Sequence, residues 1–229
     1  MVGALAGALT LGLLAVPAAA SAATDAAILN GIPTKIDLCI GKQEVASNVR
    51  FGRAVFWTDA PSKTHRFVVR KAAPGKCKGK KLGVVRATWA DGQNQTSVIW
   101  KPFAALKVKT FTNDLSVPEG MATVRFRHTA KAPVPVDVWV WEQLRASVDE
   151  WPPTFDNVKK GSSSGILPFR PGQFSMDVLP ARRSKAFGWA GWWTKTDPEK
   201  AWQFYLVGTS KKNYRLASLW WTGEVPPAP

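Results

Sequence analysis

The stretch His128-Thr-Ala-Lys-Ala-Pro-Val-Pro-Val-Asp-Val-Trp-Val140 has a fainter copy upstream, Asn30-Gly-Ile-Pro-Thr-Lys-Ile-Asp-Leu-Cys-Ile40. Pro33 precedes Pro133 by 100 residues, Asp37 stands in the same relation to Asp137, and Leu38 and Ile40 to Val138 and Val140. A chain that resembles itself at a fixed spacing is built from copies of one unit, and the copies decide the architecture before any single element does. The correspondence extends further. Val49-Arg-Phe-Gly52 aligns with Val158-Lys-Lys-Gly161, Phe67 to Arg70 with Phe174 to Asp177, and Trp89 to Gly92 with Trp193 to Thr196. Val98 to Trp100 aligns with Phe204 to Leu206, and Leu106 to Phe111 with Tyr214 to Leu219.

Within each copy the apolar residues alternate. Val136, Val138 and Val140 share one face of an extended segment, with Asp137, Trp139 and Trp141 on the other. Val124, Phe126 and His128 alternate with Arg125 and Arg127, and Trp202, Phe204 and Leu206 with Gln203, Tyr205 and Val207. Such short runs, punctuated by a chain total of 18 glycines and 17 prolines, are strand signals. The expected fold is all-β: two tandem immunoglobulin-like antiparallel β-sandwich domains over residues 25–114 and 121–222, followed by a Pro-rich tail, 223–229. Asn113 to Gly120 reads as a short, ordered connection.

The first 24 residues carry no charged side chain, and Ala4 to Val16 is a Leu/Ala/Gly run followed by small residues. The run is shorter than the roughly 20 residues a membrane span requires. Residues 1–23 therefore read as a secretory signal peptide, with cleavage at Ala22 or Ala23. No Lys or Arg precedes the run, so either the natural start lies upstream of Met1 or the signal is atypical. The mature chain holds no second stretch of that kind. The expected location is secreted, extracellular or at the cell surface.

There, a formal charge of +15 implies salt-dependent attraction to polyanions, or serves to keep a Trp-rich surface soluble. Cys39 and Cys77 are the two cysteines, and an oxidising compartment permits a bridge between them, the alternative being two free thiols. The two histidines, His65 and His128, have no ligand spacing to a cysteine, so no metal and no cofactor are expected.

Val117-Pro-Glu-Gly-Met-Ala-Thr-Val-Arg-Phe-Arg-His128, continued to Val140, resembles the opening of a bacterial family known as the domain of unknown function numbered 4397. The residues that carry the likeness are Gly120, Val124, Arg125, His128, Ala132, Pro133, Val136, Asp137, Val138 and Val140. Thr129 and Lys131 depart from the family's usual pattern, and the first copy has Asn30-Gly31 where the family has His-Ala. The resemblance implies a sandwich fold, tandem copies and life outside the cytoplasm. It carries no catalytic residue with it, and the chain is expected not to be an enzyme.

Three constellations are candidates for function. Lys76, Lys78, Lys80 and Lys81 crowd one loop, and Arg182, Arg183 and Lys185 a roughly corresponding one, so an anionic cell-wall polymer or extracellular glycan could be gripped by both copies. Trp192, Trp193, Trp220 and Trp221 form doublets whose members point to opposite faces of a strand, so some rings lie at a surface or an interface. They would pack the copies together, stack on sugars or fill a protein partner's pocket. Nucleic acid is disfavoured, because no recognised binding motif is present. Asp37, Asp137, His128 and Pro133 read as structural: the aspartates as acceptors for a neighbouring loop, the proline as a stiffener of the following strand.

Overall fold

The computed structural model describes residues 25–101, 105–132, 134–142, 152–181 and 190–223. The proposed signal peptide and residues 224–229 of the tail lie outside these. Sixteen strands fall into two sets of eight. The first is β1 (Ala26–Asn30), β2 (Ile36–Ile40), β3 (Gln43–Val49), β4 (Ala54–Trp57), β5 (Thr64–Lys71), β6 (Lys81–Thr88), β7 (Gln95–Trp100) and β8 (Lys107–Thr112). The second is β9 (Ala122–His128), β10 (Val136–Glu142), β11 (Phe155–Val158), β12 (Ser163–Phe169), β13 (Gly172–Pro180), β14 (Ala190–Thr196), β15 (Lys200–Val207) and β16 (Arg215–Thr222).

The strand orders are β4-β1-β7-β8 and β3-β2-β5-β6 in the first half, and β12-β9-β15-β16 and β11-β10-β13-β14 in the second. Adding eight to each first-half number gives the second half. The fold is thus two tandem all-β sandwiches of identical topology. One detail departs from a purely antiparallel sandwich. β1 runs parallel to β7, and β9 parallel to β15, because each first strand joins its sheet alongside a later strand that points the same way.

Two closed cores follow from the alternation. Ile28, Ile36, Leu38, Phe67, Val69, Val85, Trp89 and Ile99 fill the first. Val124, Phe126, Val136, Val138, Phe174, Met176, Phe204 and Leu206 fill the second. A third apolar cluster joins Ala27, Leu29, Val98 and Phe111 to Tyr205, Val207, Ala217 and Leu219. It lies where the β4-β1-β7-β8 sheet packs on the β12-β9-β15-β16 sheet. These inner sheets are buried on both faces, which is why β1 is buried at every position and β15 at all but its first.

The registers also correct three of the sequence alignments. Asp37 pairs with Arg70 and Asp137 with Leu179, so Phe67 corresponds to Met176, two residues from the expected Phe174. That slip preserves the face. Val85 then corresponds to Trp192, and hence Trp89 to Thr196 and not to Trp193. The amide of Gly31 bonds the carbonyl of Ile99, and that of Thr129 bonds Leu206, so Val98 corresponds to Tyr205 and not to Phe204. This slip of one residue exchanges core for seam. Val98 and Tyr205 face the junction, while Ile99 and Leu206 face the cores.

At the junction Arg127 is completely buried. Its Nη1 donates to Asn113 Oδ1 at 2.6 Å and to the Tyr205 hydroxyl at 2.5 Å, and its Nη2 donates to the Thr112 carbonyl at 2.7 Å. The guanidinium also sits 4.9 Å from the Phe111 ring centroid and 5.3 Å from that of Tyr205. Burial pulls its pKa below the ordinary arginine value and pushes the Tyr205 phenol up. The connection between the halves takes part: Asn113 and Val117 are buried, and Asp114 pairs with Arg125 at 3.8 Å.

Arg127→Ala removes the donor to the Tyr205 hydroxyl and the Thr112 carbonyl and one of the donors to Asn113 Oδ1, and opens a void. It is expected to lower stability by about 3 kcal/mol or more, read as the shift in urea midpoint. An unchanged midpoint contradicts the assignment.

Candidate functional site

The nine residues between β5 and β6 carry lysines yet are tightly held. Cys77 is disulfide-bonded to Cys39, a fully buried residue of β2, with Cα atoms 6.2 Å apart. The Lys71 amide donates to the Lys80 carbonyl at 2.8 Å, and the Ala72 amide to the Lys35 carbonyl at 3.0 Å. Arg70 Nη1 donates to the Gly79 carbonyl at 2.9 Å, and the Cys77 amide to Glu44 Oε2 at 3.2 Å. Gly79 is obligatory, because a Cβ there would lie 1.7 Å from the Lys71 carbonyl oxygen.

On this frame the side chains of Lys76, Lys78, Lys80 and Lys81 are all exposed. Among the described residues none of the four has a carboxylate within ion-pair distance. A groove of about 470 Å³ opens at the loop's base, lined by Lys35, Glu44, Asn48 and Lys76 among others. Chemically this is a fixed array of ammonium groups with one acid, suited to an extended anion. Arg182, Arg183 and Lys185, the proposed counterpart, lie outside the described residues.

Asp37 and Asp137 occupy the same place in each sandwich. Asp37 Oδ1 accepts from the Asn48 amide at 2.9 Å, and Asp137 Oδ1 from the Asn157 amide at 2.7 Å. Both asparagines adopt the left-handed conformation, with φ of 52° and 49°, which asparagine tolerates better than most residues. The carboxylate thus fastens an irregularity in the neighbouring edge strand.

His128 and Asn30 are likewise equivalent, since their carbonyls accept from Gly161 and Gly52. Asn30 Nδ2 donates to the Thr34 and Val49 carbonyls at 2.8 and 2.9 Å, pinning the loop after β1. His128 is fully buried. Burial holds its pKa down at about 4, opposed by the Val134 backbone and reinforced by the charge of Lys160. Val134 is the counterpart of Thr34, so the two side chains face the same loop, but among the described residues neither ring nitrogen of His128 has a hydrogen-bond partner. Pro133 lies outside the described residues.

The tryptophans divide. Trp220 is 49% exposed, with Lys200 Nζ 4.3 Å from its ring centroid. Trp221 packs edge-on against Phe56 of the first sandwich, centroids 5.9 Å apart. Trp192 and Trp193 lie on β14, where their backbones pair with Met176 and Ser175, and their side chains lie outside the description. A groove of about 390 Å³ runs between the sandwiches past Arg53, Phe56, Ser218 and Trp220. Sequence reasoning missed Phe56, which is 52% exposed. Its ring partner, Trp221, comes from the other sandwich, and no local pattern announces that. Among the described residues no three His, Cys, Asp or Glu side chains converge in a way that could hold a metal.

The chain matches the family described as Domain of unknown function (DUF4397) over residues 24–139, and it belongs to that family. The matched segment takes in the first sandwich and continues into β10. No curated protein matches the chain. Among solved structures it is similar to a family 26 carbohydrate-binding module from Eubacterium rectale in complex with maltoheptaose, at 9% identity over 88% of this chain and 98% of that one, TM-score 0.28. It is also similar to family 41 carbohydrate-binding modules from streptococcal virulence factors, at 8% identity over 84% and 95%, TM-score 0.29. Scores this low carry no inference about what this chain binds.

The buried histidine yields a pH dependence. Its pKa is about 4 folded against 6.5 for the free side chain, so the unfolded chain binds the proton more readily. The stabilisation from a neutral His128 is complete above pH 6.5 and is lost as pH falls toward 4, a total of about 3 kcal/mol. His128→Asn, copying Asn30, is expected to keep the fold and flatten this part of the profile. Urea unfolding at pH 7, 5.5 and 4 checks both; parallel profiles for the two proteins contradict the assignment.

Proposed function

We propose that this chain, as a member of that family, is a non-enzymatic binding module acting outside the cytoplasm, and that it holds an anionic envelope polymer on the loop between Lys71 and Lys81. The observation that carries the proposal is the preorganised array of Lys76, Lys78, Lys80 and Lys81. A hairpin kept merely soluble by charge has no need of a disulfide, a buried carbonyl contact and an obligatory glycine beneath it. Ordering a loop before binding removes an entropic cost from the binding step. The disulfide is in keeping with an oxidising compartment, as is the uncharged leader. Among the described residues no helix is long and apolar enough to cross a membrane.

A second reading places a neutral sugar or a protein side chain on Phe56 and Trp220. Their exposure beside one groove favours it. The two readings differ in salt dependence. Exposed charges separated by more than about 8 Å are largely screened at physiological ionic strength, whereas ring stacking persists.

Retention of the mature protein on isolated cell envelopes, sedimented across a salt series, separates them. The fourfold variant Lys76→Gln, Lys78→Gln, Lys80→Gln and Lys81→Gln is expected to lose at least tenfold in affinity at low salt, since each cation near an anionic surface contributes about 1 kcal/mol. Trp220→Ala is expected to bind as the parent does. Salt-resistant retention that fails only in Trp220→Ala or Phe56→Ala overturns the lysine reading in favour of the groove.

A further inference from the structure

The two sandwiches meet through equivalent surfaces, so their junction has two equivalent margins that can be compared atom for atom. At one, Arg215 of β16 extends over the turn of the first sandwich: its Nη1 donates to the Phe51 carbonyl at 3.4 Å, and its Cδ would lie 3.1 Å from a Cβ on Gly52. At the other, β8 lies against the turn of the second sandwich, and Lys109 Nζ donates to the Gly161 carbonyl. Strand registers and turn hydrogen bonds make Lys107 the counterpart of Arg215, Trp100 of Val207 and Lys160 of Phe51. The first margin closes with Arg215 over the Phe51–Gly52 turn, and Arg53 lies beside it in the groove. The second has Lys160 where the first has Phe51, so the fold does not demand a cation there.

Lys107 and Lys109 share one face of β8 with Phe111, which is buried in the junction. Lys160 Nζ stands 5.0 Å from the Trp100 ring centroid. Trp100 Nε1 is buried and has no acceptor among the described residues, a state that costs about 1–3 kcal/mol. Lys131 arrives from the loop after β9, anchored by its amide to the Gly208 carbonyl at 2.8 Å. Lys160 responds to this company: burial and the charges of Lys131 and Lys107 all lower its pKa.

We propose that Lys107, Lys109, Lys131 and Lys160, with the Trp100 indole, form a composite site for a multiply charged oxyanion of the phosphoryl class, assembled only when the two sandwiches are docked. The site uses other elements than the loop between Lys71 and Lys81 and does not rest on that reading. Like charges gathered at one margin repel. A phosphoryl group among them would relieve that repulsion.

The test is thermal unfolding of the mature protein in sodium phosphate against sodium chloride at matched ionic strength, with the Trp100 indole N–H followed by NMR and assigned through Trp100→Phe. Phosphate is expected to raise Tm by several degrees and to move the Trp100 resonance in the parent and in the fourfold loop variant. Neither effect is expected in Lys107→Gln/Lys131→Gln/Lys160→Gln. If a short polyphosphate acts where the free ion does not, and fails in the triple variant, the site belongs to a polymer's phosphoryl groups. Absence of any response to either ion, or a response that survives in the triple variant, overturns the proposal. So does a response abolished by the loop variant instead. Envelope retention lost in the loop variant alone, with the phosphate response intact, separates this site from the other.

Discussion

The docking of the two sandwiches depends on burying the Arg127 guanidinium between the inner sheets. A fully buried cation is costly unless its donors are satisfied; Nη1 and Nη2 of Arg127 find acceptors, while Nε has none among the described residues. Here the acceptors are spread over both halves of the chain: Thr112 and Asn113 at the end of the first sandwich, Tyr205 in the second. The residue equivalent to Arg127 in the first sandwich is Leu29, which lies in the same apolar junction. The contact surface is therefore nearly self-complementary, with one polar fastening placed off its centre. Such a network specifies a single docking geometry in a way that apolar packing alone does not. Both composite features of the molecule, the Phe56–Trp220 groove and the lysine margin around Trp100, exist only in that geometry.

The lysine loop follows a different logic. Its rigidity comes from within the first sandwich, through Cys39, Glu44, Arg70 and Gly79. Closing a loop of this size by a disulfide constrains the unfolded chain by roughly 4 kcal/mol in the chain-entropy account. The cross-link thus stabilises the sandwich and presents the ammonium groups at the same time. Electrostatics of this kind favour rapid capture and broad tolerance of ligand shape over fine discrimination.

Much of the fold was readable. Period-two alternation located β9, β10 and β15, and the Pro33/Pro133 and Asp37/Asp137 spacing announced two similar halves. The reason lies in the Asp–Asn pairs: in each copy the aspartate fastens a left-handed asparagine of the edge strand, 11 residues away in the first copy and 20 in the second. Alternation says which residues share a face but not what covers that face. Arg127 and Tyr205 therefore looked like the outer side of a sandwich, and only the packing of the second inner sheet buries them. The misalignment of Val98 with Phe204 has the same root, since both faces of that strand are apolar and a one-residue slip leaves no trace in composition. The lysines of the β5–β6 loop were visible as a cluster. Their frame was not, because Glu44 and Lys35 are distant in the chain. The margin around Trp100 was invisible for a stronger reason: its cations come from three separate segments, each unremarkable alone.

The central claim is that a rigid frame turns a basic loop into a binding site. It is tested most directly by measuring binding of a uniform anionic polymer to the oxidised protein and to the protein with the Cys39–Cys77 bridge reduced, at one fixed ionic strength where circular dichroism shows both folded. The account predicts several-fold weaker binding after reduction at unchanged net charge. Equal binding in the two states would mean that charge alone suffices and would contradict it.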